Sequence, residues 1–234
     1  MNSLTLITPT SDRPRPFALC EKWMSRALQH YQGDNFQWIV VDDGVSSAKC
    51  TLGQQHIRLD AIADSTESFR QNLLAALQEA KHELILFIED DDWYAEQYLA
   101  KMCKWMTNDF EIVGETKARY YFLPTQRYHF CRNSRHASLC QTGIRRSLLP
   151  WLIKHLQNNQ GNPYIDIALW REGRRRGKCL LRPRTTLSVG MKGLPGKAGI
   201  GMGHRLSSRH QHDVEGEVLR QWIGKDDAAL YENW

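Results

Sequence analysis

Hydrophobic and polar positions along the chain switch between two periods. Residues 4–8 (Leu-Thr-Leu-Ile-Thr) read as a first strand, closed by the turn-rich loop 9–14. Phe17, Cys20, Met24, Ala27, Leu28 and Tyr31 recur at helical spacing, so a helix follows. Residues 37–41 (Gln-Trp-Ile-Val-Val) form a second strand that ends in Asp42-Asp43-Gly44, and 56–59 a third. Phe69, Leu73, Leu77 and Ala80 mark an amphipathic helix. Residues 84–88 (Leu-Ile-Leu-Phe-Ile) are apolar throughout and read as a strand buried on both faces. Tyr98, Leu99, Met102, Cys103 and Met106 give the next helix. Strands alternating with helices predict an α/β protein with a mostly parallel sheet.

Beyond residue 110 the spacing tightens. Residues 111–114, 120–123 and 128–131 read as strands too close together for crossover helices, which predicts an antiparallel part. Leu148, Leu149, Leu152, Ile153 and Leu156 suggest a helix, and Pro163 opens another through Ile165, Ala168 and Leu169. Residues 179–181 and 186–189 are late strands, 190–203 a glycine-rich loop, and Val214, Val218, Leu219 and Trp222 a final helix. With no internal repeat or linker, residues 1–234 are expected to form a single domain with a parallel half, 1–115, and an irregular half, 116–234.

Composition narrows the class. The chain has 234 residues, 41% hydrophobic and 24% charged, as in an ordinary globule. No apolar run approaches the ~20 residues needed to span a bilayer, and the N-terminus has no basic start leading into an apolar core. The six cysteines are scattered without a CxxC pair, which disfavours a zinc site or a disulfide framework and favours reduced thiols in a cytoplasm. Net charge is +5, yet residues 1–115 carry 10 Lys/Arg against 18 Asp/Glu, and residues 116–184 carry 15 against 2. No acid occurs in residues 116–165. So uneven a split suggests two clients, one of them a polyanion.

The strand at 84–88 runs straight into Glu89-Asp90-Asp91-Asp92, followed by Trp93-Tyr94. Open α/β sheets bind ligands at the carboxyl ends of their strands. Four adjacent carboxylates repel one another, and a hard divalent ion such as Mn²⁺ or Mg²⁺ would offset that repulsion.

The order of these motifs resembles the family-2-like glycosyltransferases of the GT-A fold. The parts that carry the resemblance are Thr8-Pro9-Thr10, Val40-Val41-Asp42-Asp43-Gly44, the helix with Arg70 and Asn72, Ile88-Glu89-Asp90-Asp91-Asp92-Trp93, and the segment from Tyr164 to Arg171. The resemblance covers nearly the whole chain. It implies transfer of a sugar from a nucleotide-sugar, a UDP-sugar above all, to an acceptor hydroxyl, with Mn²⁺ or Mg²⁺ stabilising the departing diphosphate. Residues 1–115 would then hold the donor and 116–234 the acceptor.

The resemblance also assigns site residues. The acidic DxD motif fits Asp90 and Asp92, or equally Glu89 and Asp91; Asp90, Asp91 and Asp92 are the favoured metal ligands, with Asp90 and Asp91 also facing the donor. Asp42 and Asp43 would meet the base and ribose, and Thr8, Pro9 and Arg13 the nucleotide. Arg70 would pair with phosphate or with Asp92. Asp166 matches the family's late acid, although the family often has Glu-Asp where this chain has Ile165-Asp166. It is the expected general base for a single displacement with inversion. In the glycine-rich loop, Lys192 or Lys197 would meet the diphosphate. His204 would complete the metal shell, with His210 and His212 as competitors.

The basic half interleaves Tyr120, Tyr121, Phe122, Tyr128, His129 and Phe130 with Arg119, Arg127, Arg132 and Arg135. Cations for phosphates and π-faces for bases are the parts of a nucleic-acid groove. Arg171, Arg174, Arg175, Arg176, Lys178, Arg182 and Arg184 extend the patch. The leading expectation is therefore DNA as acceptor, through a hydroxymethylated pyrimidine extruded into a pocket. Phage enzymes of that type are the analogy, and the location would then be the host cytoplasm. The DNA contacts would come from Arg132, Arg135, Arg174, Arg175 and Arg176. Two alternatives stay open: a bacterial surface glycan as acceptor, and a non-catalytic nucleic-acid-binding module.

Overall fold

The computed structural model describes residues 3–33, 35–107, 109–162, 164–182, 186–200, 204–232 and 234. Pro163, Arg184 and residues 201–203 of the predicted glycine-rich loop lie outside the described residues.

Seven strands build the main sheet in the order β10-β6-β9-β4-β1-β2-β3. They are β1 (Ser3–Thr10), β2 (Asn35–Asp42), β3 (Gln55–Arg58), β4 (Leu84–Phe87), β6 (Ile112–Glu115), β9 (Thr142–Arg145) and β10 (Cys179–Arg182). β1 is parallel to both β2 and β4, β2 to β3 and β10 to β6, while β9 runs antiparallel to β4 and β6. The second sheet, in the order β12-β8-β7-β11-β5, combines β5 (Trp93–Tyr94), β7 (Arg119–Phe122), β8 (Arg127–Phe130), β11 (Ser188–Lys192) and β12 (Gln211–His212). All its pairings are antiparallel except β11 with β7.

Alternation along the strands fixes what each face covers. Leu4, Leu6, Trp38, Val40, Leu84 and Leu86 pack with α1 (Pro14–Gln29) and α3 (Tyr98–Trp105) through Phe17, Cys20, Trp23, Met24, Leu99 and Met102. Ile7, Ile39, Val41, Ile85 and Phe87 point the other way. They pack with α2 (Ser65–Glu79), α4 (Leu149–Asn158) and α5 (Ile165–Arg175) through Leu73, Leu77, Leu152, Leu169 and Trp170. α6 (Glu217–Ile223) and α7 (Lys225–Ala229) close the chain, and Tyr231 stacks on Trp23. With apolar side chains on both faces, the strands need the continuous hydrophobic runs seen in the sequence. Among the described residues no helix is long and apolar enough to cross a membrane.

Three elements differ from the sequence expectation. β9 lies in the middle of the sheet, where Gly143 stands against Leu86; a Cβ there would come within 2.5 Å of the leucine methyl. Its one large apolar residue, Ile144, gave no periodicity to read. The late strand runs to Lys192 rather than ending at 189, because Gly190, Met191 and Lys192 pair with β7. The predicted last helix is two short ones, and Val214 lies outside both with 76% of its surface exposed.

Candidate active site

β1 pairs with β2 on one side and β4 on the other, so a crevice opens where their carboxyl ends part. Into it the chain delivers Ser11 and Arg13 after β1, and Glu89, Asp90 and Asp91 after β4. The crevice belongs to a cavity of about 650 Å³ that is also lined by Asn72 and Phe69 of α2, Tyr120 of β7, Lys192, Lys197 and His204. His136, Tyr164 and Asp166 line the same cavity.

The acids are held by named partners. Asp90 accepts from the Thr10 hydroxyl at 2.6 Å and from Arg13 at 3.0 Å. Arg13 also pairs with Asp91 at 2.9 Å. Asp92 accepts from the Met191 amide at 3.1 Å and from the Lys192 ammonium at 3.0 Å. Lys192 is 3.8 Å from the carboxylates of both Glu89 and Asp91. β5 starts one residue after Asp92 and pairs with β11, so the strand carrying Lys192 runs directly past the acids. Gly190 makes this passage possible: a Cβ there would lie 2.4 Å from the Tyr120 ring.

Their charges are set by burial and by these neighbours. Burial, reinforced by Asp92, pushes the Glu89 carboxyl up to about 8, and burial pushes Asp92 up to about 6. Burial works against the Asp91 charge too, but Lys192 and Arg13 outweigh it and hold that carboxyl below the usual range. Burial and then Lys192 push His204 down to about 3, so its imidazole is neutral and open as a ligand. Burial raises Asp166, whose carboxylate accepts the Ile167 amide N–H at 2.8 Å in the first turn of α5.

The cluster suits a hard divalent ion. Asp92 Oδ2 is buried and has no hydrogen-bond partner among the described residues, an orphan oxygen of the kind a cation satisfies. Glu89, Asp92 and Cys140 place one ligand atom each within 4.8 Å of one another. Burial keeps the Cys140 thiol protonated, leaving the carboxylates as the hard donors.

The structure brings together Pro9, Arg13, Asp90, Asp91, Asp166, Lys192, Lys197 and His204 around one cavity, with Asp92 directly behind it. Other expected contacts are corrected. The Thr8 hydroxyl is buried in the sheet, accepting the Trp38 indole N–H at 2.9 Å, and does not reach the cleft. Asp42 is spent on its own loop: it accepts the Gly44 and Ala48 amides at 2.8 Å and pairs with Arg58 at 2.6 Å. Asp43 binds Ser68 and Asn72 at 2.8 and 2.9 Å, with one oxygen 3.4 Å from Lys197. Arg70 turns away from the acids to Glu67 and to the Leu156 carbonyl at 3.1 Å. Lys197 meets Asp43 and the Ile62 carbonyl, and its own carbonyl accepts from Arg13 at 2.9 Å.

The basic patch also changes. Arg175 and Arg176 pair with Glu172, and Arg176 with Glu111 as well, while Arg174 donates to the Arg135 carbonyl. Arg132, Arg135, Arg174, Arg175 and Arg176 do not line the cavity; among the described residues the lysines and arginines there are Arg13, Lys192, Lys197, Arg205 and Arg209. His136 and Cys140 went unnoticed as site residues because neither lies in a periodic segment.

A mostly parallel α/β sheet with acids at its switch point, beside a second, mainly antiparallel sheet, defines the GT-A class of glycosyltransferase fold. The family description "Glycosyl transferase family 2" matches residues 18–160, more than half of the chain, and the chain belongs to that family. No curated protein matches it in sequence. Among solved structures it superposes on S. aureus TarS with a TM-score of 0.55 at 11% identity, over 81% of this chain and 36% of that one. Mannosyltransferase PcManGT from Pyrobaculum calidifontis, in complex with GDP-Man and Mn²⁺, gives a TM-score of 0.56 at 16% identity, over 83% and 57%. S. aureus TarS 1–349 in complex with UDP-GlcNAc gives 0.51 at 14%, over 88% and 62%. Likeness at this identity is likeness of fold, and the chain spans less than two thirds of each of these structures.

Proposed function

We propose that the chain is one GT-A unit that transfers a sugar from a nucleotide-sugar, best a UDP-sugar, to an acceptor hydroxyl with inversion. One observation carries the proposal: a single cavity joins the acidic cluster to Asp166. A donor with its diphosphate at Arg13, Lys192 and the acids would present its anomeric carbon to the rest of that cavity, where Asp166 takes the proton of the attacking hydroxyl. Burial raises its basicity, and its place in the first helical turn keeps the carboxylate oriented. Of the expected ligands, Asp91, Asp92 and His204 would hold Mn²⁺ or Mg²⁺, joined by Glu89 in place of Asp90, whose two oxygens accept from Thr10 and Arg13; the ion when bound neutralises charge on the leaving diphosphate. Family membership supports the transfer chemistry. The UDP-GlcNAc and GDP-Man–Mn²⁺ complexes of the structural neighbours support donor and metal.

For the acceptor, the proposal is a hydroxymethylated pyrimidine in DNA. The net positive charge of the acceptor half supports it, as do Phe69, Tyr120, Tyr164, Arg205 and Arg209, which all line the cavity. A surface glycan is the second reading, favoured by the ion pairs that absorb Arg175 and Arg176. Incubation of the protein with UDP-sugars and hydroxymethylated DNA, followed by nucleoside mass spectrometry, decides between them. A hexose-mass adduct on the pyrimidine is expected. Transfer to a glycan with no adduct on DNA replaces the DNA acceptor.

A further inference from the structure

Lys192 is a full charge inside the protein. Only 2% of its side chain is exposed, and its ammonium stands among three carboxyl groups, 3.0 Å from Asp92 and 3.8 Å from Glu89 and from Asp91. Those are the oxygens a divalent ion would need. Arg13 takes oxygens of Asp90 and Asp91 on the other side. Among the described residues the buried Asp92 Oδ2 has no hydrogen-bond partner, and the Cys140 thiol beside Asp92 is a weak donor, so the cluster is compensated in part. Arginine's rigid fork would lock such a site, whereas lysine is a compact point charge on a flexible stem and can pivot between acids and a phosphate.

We propose that Lys192 is a resident placeholder cation. In the donor-free protein it holds the position a divalent ion would take, so Mn²⁺ or Mg²⁺ binds only together with a nucleoside diphosphate. Two cations among the same carboxylates repel strongly in a buried site. A diphosphate adds the negative charge that both can share, and the Lys192 ammonium turns from the acids to the phosphate. Metal and nucleotide affinities are thereby coupled, and the coupling is reciprocal. The inference rests on the nucleotide-sugar reading of the cleft.

The test is a Mn²⁺ titration followed by electron paramagnetic resonance, in which bound Mn²⁺ loses its free-ion signal. The parent protein should leave Mn²⁺ free in the absence of nucleotide and bind it when UDP is added. Lys192→Met should bind Mn²⁺ without UDP, tighter than the parent by about 5- to 150-fold, the usual range of a coupling between sites. A Lys192→Met chain that folds only when Mn²⁺ is added supports the proposal equally, and Lys192→Gln repeats the comparison with a polar side chain. A parent protein that binds Mn²⁺ as tightly without UDP as with it overturns the proposal. So do folded Lys192 variants that bind Mn²⁺ no tighter than the parent. If neither UDP nor GDP binds the parent, the nucleotide-sugar reading falls, and the comparison of Mn²⁺ affinities without nucleotide still decides the role of Lys192.

Discussion

Asp166→Asn isolates the proton transfer. The exchange is nearly isosteric, and the amide oxygen of asparagine can still accept the Ile167 N–H that the carboxylate accepts at 2.8 Å. Loss of a negative charge in the first turn of α5 costs about 0.3–1 kcal/mol of stability through the helix dipole, too little to unfold the protein. A general base contributes about 10²- to 10⁴-fold to rate. At about 1.36 kcal/mol per decade, that is roughly 2.7–5.4 kcal/mol of barrier, and it should appear in kcat. Nucleotide affinity by calorimetry should not change, since the expected donor contacts Arg13 and Lys197 bond to each other and to the acids, not to Asp166. Burial holds the Asp166 carboxyl above its ordinary value of 3.8. The base works deprotonated, so the parent's rate should rise with pH through that raised value, and the variant should lose this limb. A variant that transfers at the parent rate, or that loses donor binding along with turnover, refutes the base assignment.

Three further outcomes follow from particular contacts. Arg70→Met orphans the Leu156 carbonyl and should cost about 1–3 kcal/mol, roughly 2–4 °C in Tm per kcal/mol, with UDP affinity unchanged; a large loss of UDP affinity would return Arg70 to the phosphates. Glu89 keeps its proton when folded up to about 8 and loses it near 4.5 when unfolded, so its contribution makes stability fall as pH rises between those values. Thermal melts at constant ionic strength should show that slope in the metal-free parent and a flatter one in Glu89→Gln, whereas an identical slope in both would contradict the raised carboxyl. Neutralising Arg205 and Arg209 with glutamine should weaken binding to duplex DNA and lower its salt slope by about 0.9 for each phosphate that is no longer neutralised. Unchanged affinity and slope would remove those arginines from any DNA surface.

Much of the fold was legible because both faces of the main sheet are covered, which forces apolar runs at β2 and β4 and a mix of leucine, isoleucine and buried threonine at β1. The acids at the end of β4 and Asp166 at the start of α5 were visible for the same reason, each following directly on a recognisable element. The direction of Thr8 was also within reach: it shares the parity of Leu4 and Leu6 and so faces the helix α1 side. What the sequence hid depends on distant pairing. Arg70 finds its partner at Leu156, and Lys192 reaches the acids only through the register of β11 with β5 and β7. The arginines at the end of α5 and just past it read as a free patch because Glu172, the acid that pairs with Arg175 and Arg176, is a single residue amid many bases.

The central claim is that the cleft between the acidic cluster and Asp166 activates a nucleotide-sugar. The most direct measurement is release of nucleoside diphosphate from a panel of UDP- and GDP-sugars by the parent and by Asp91→Asn, with Mn²⁺ present. The parent should release diphosphate from at least one donor, and Asp91→Asn, which removes the carboxylate that binds Arg13 at 2.9 Å and faces Lys192, should release almost none. No release from any donor, or equal release by parent and variant, would contradict the account.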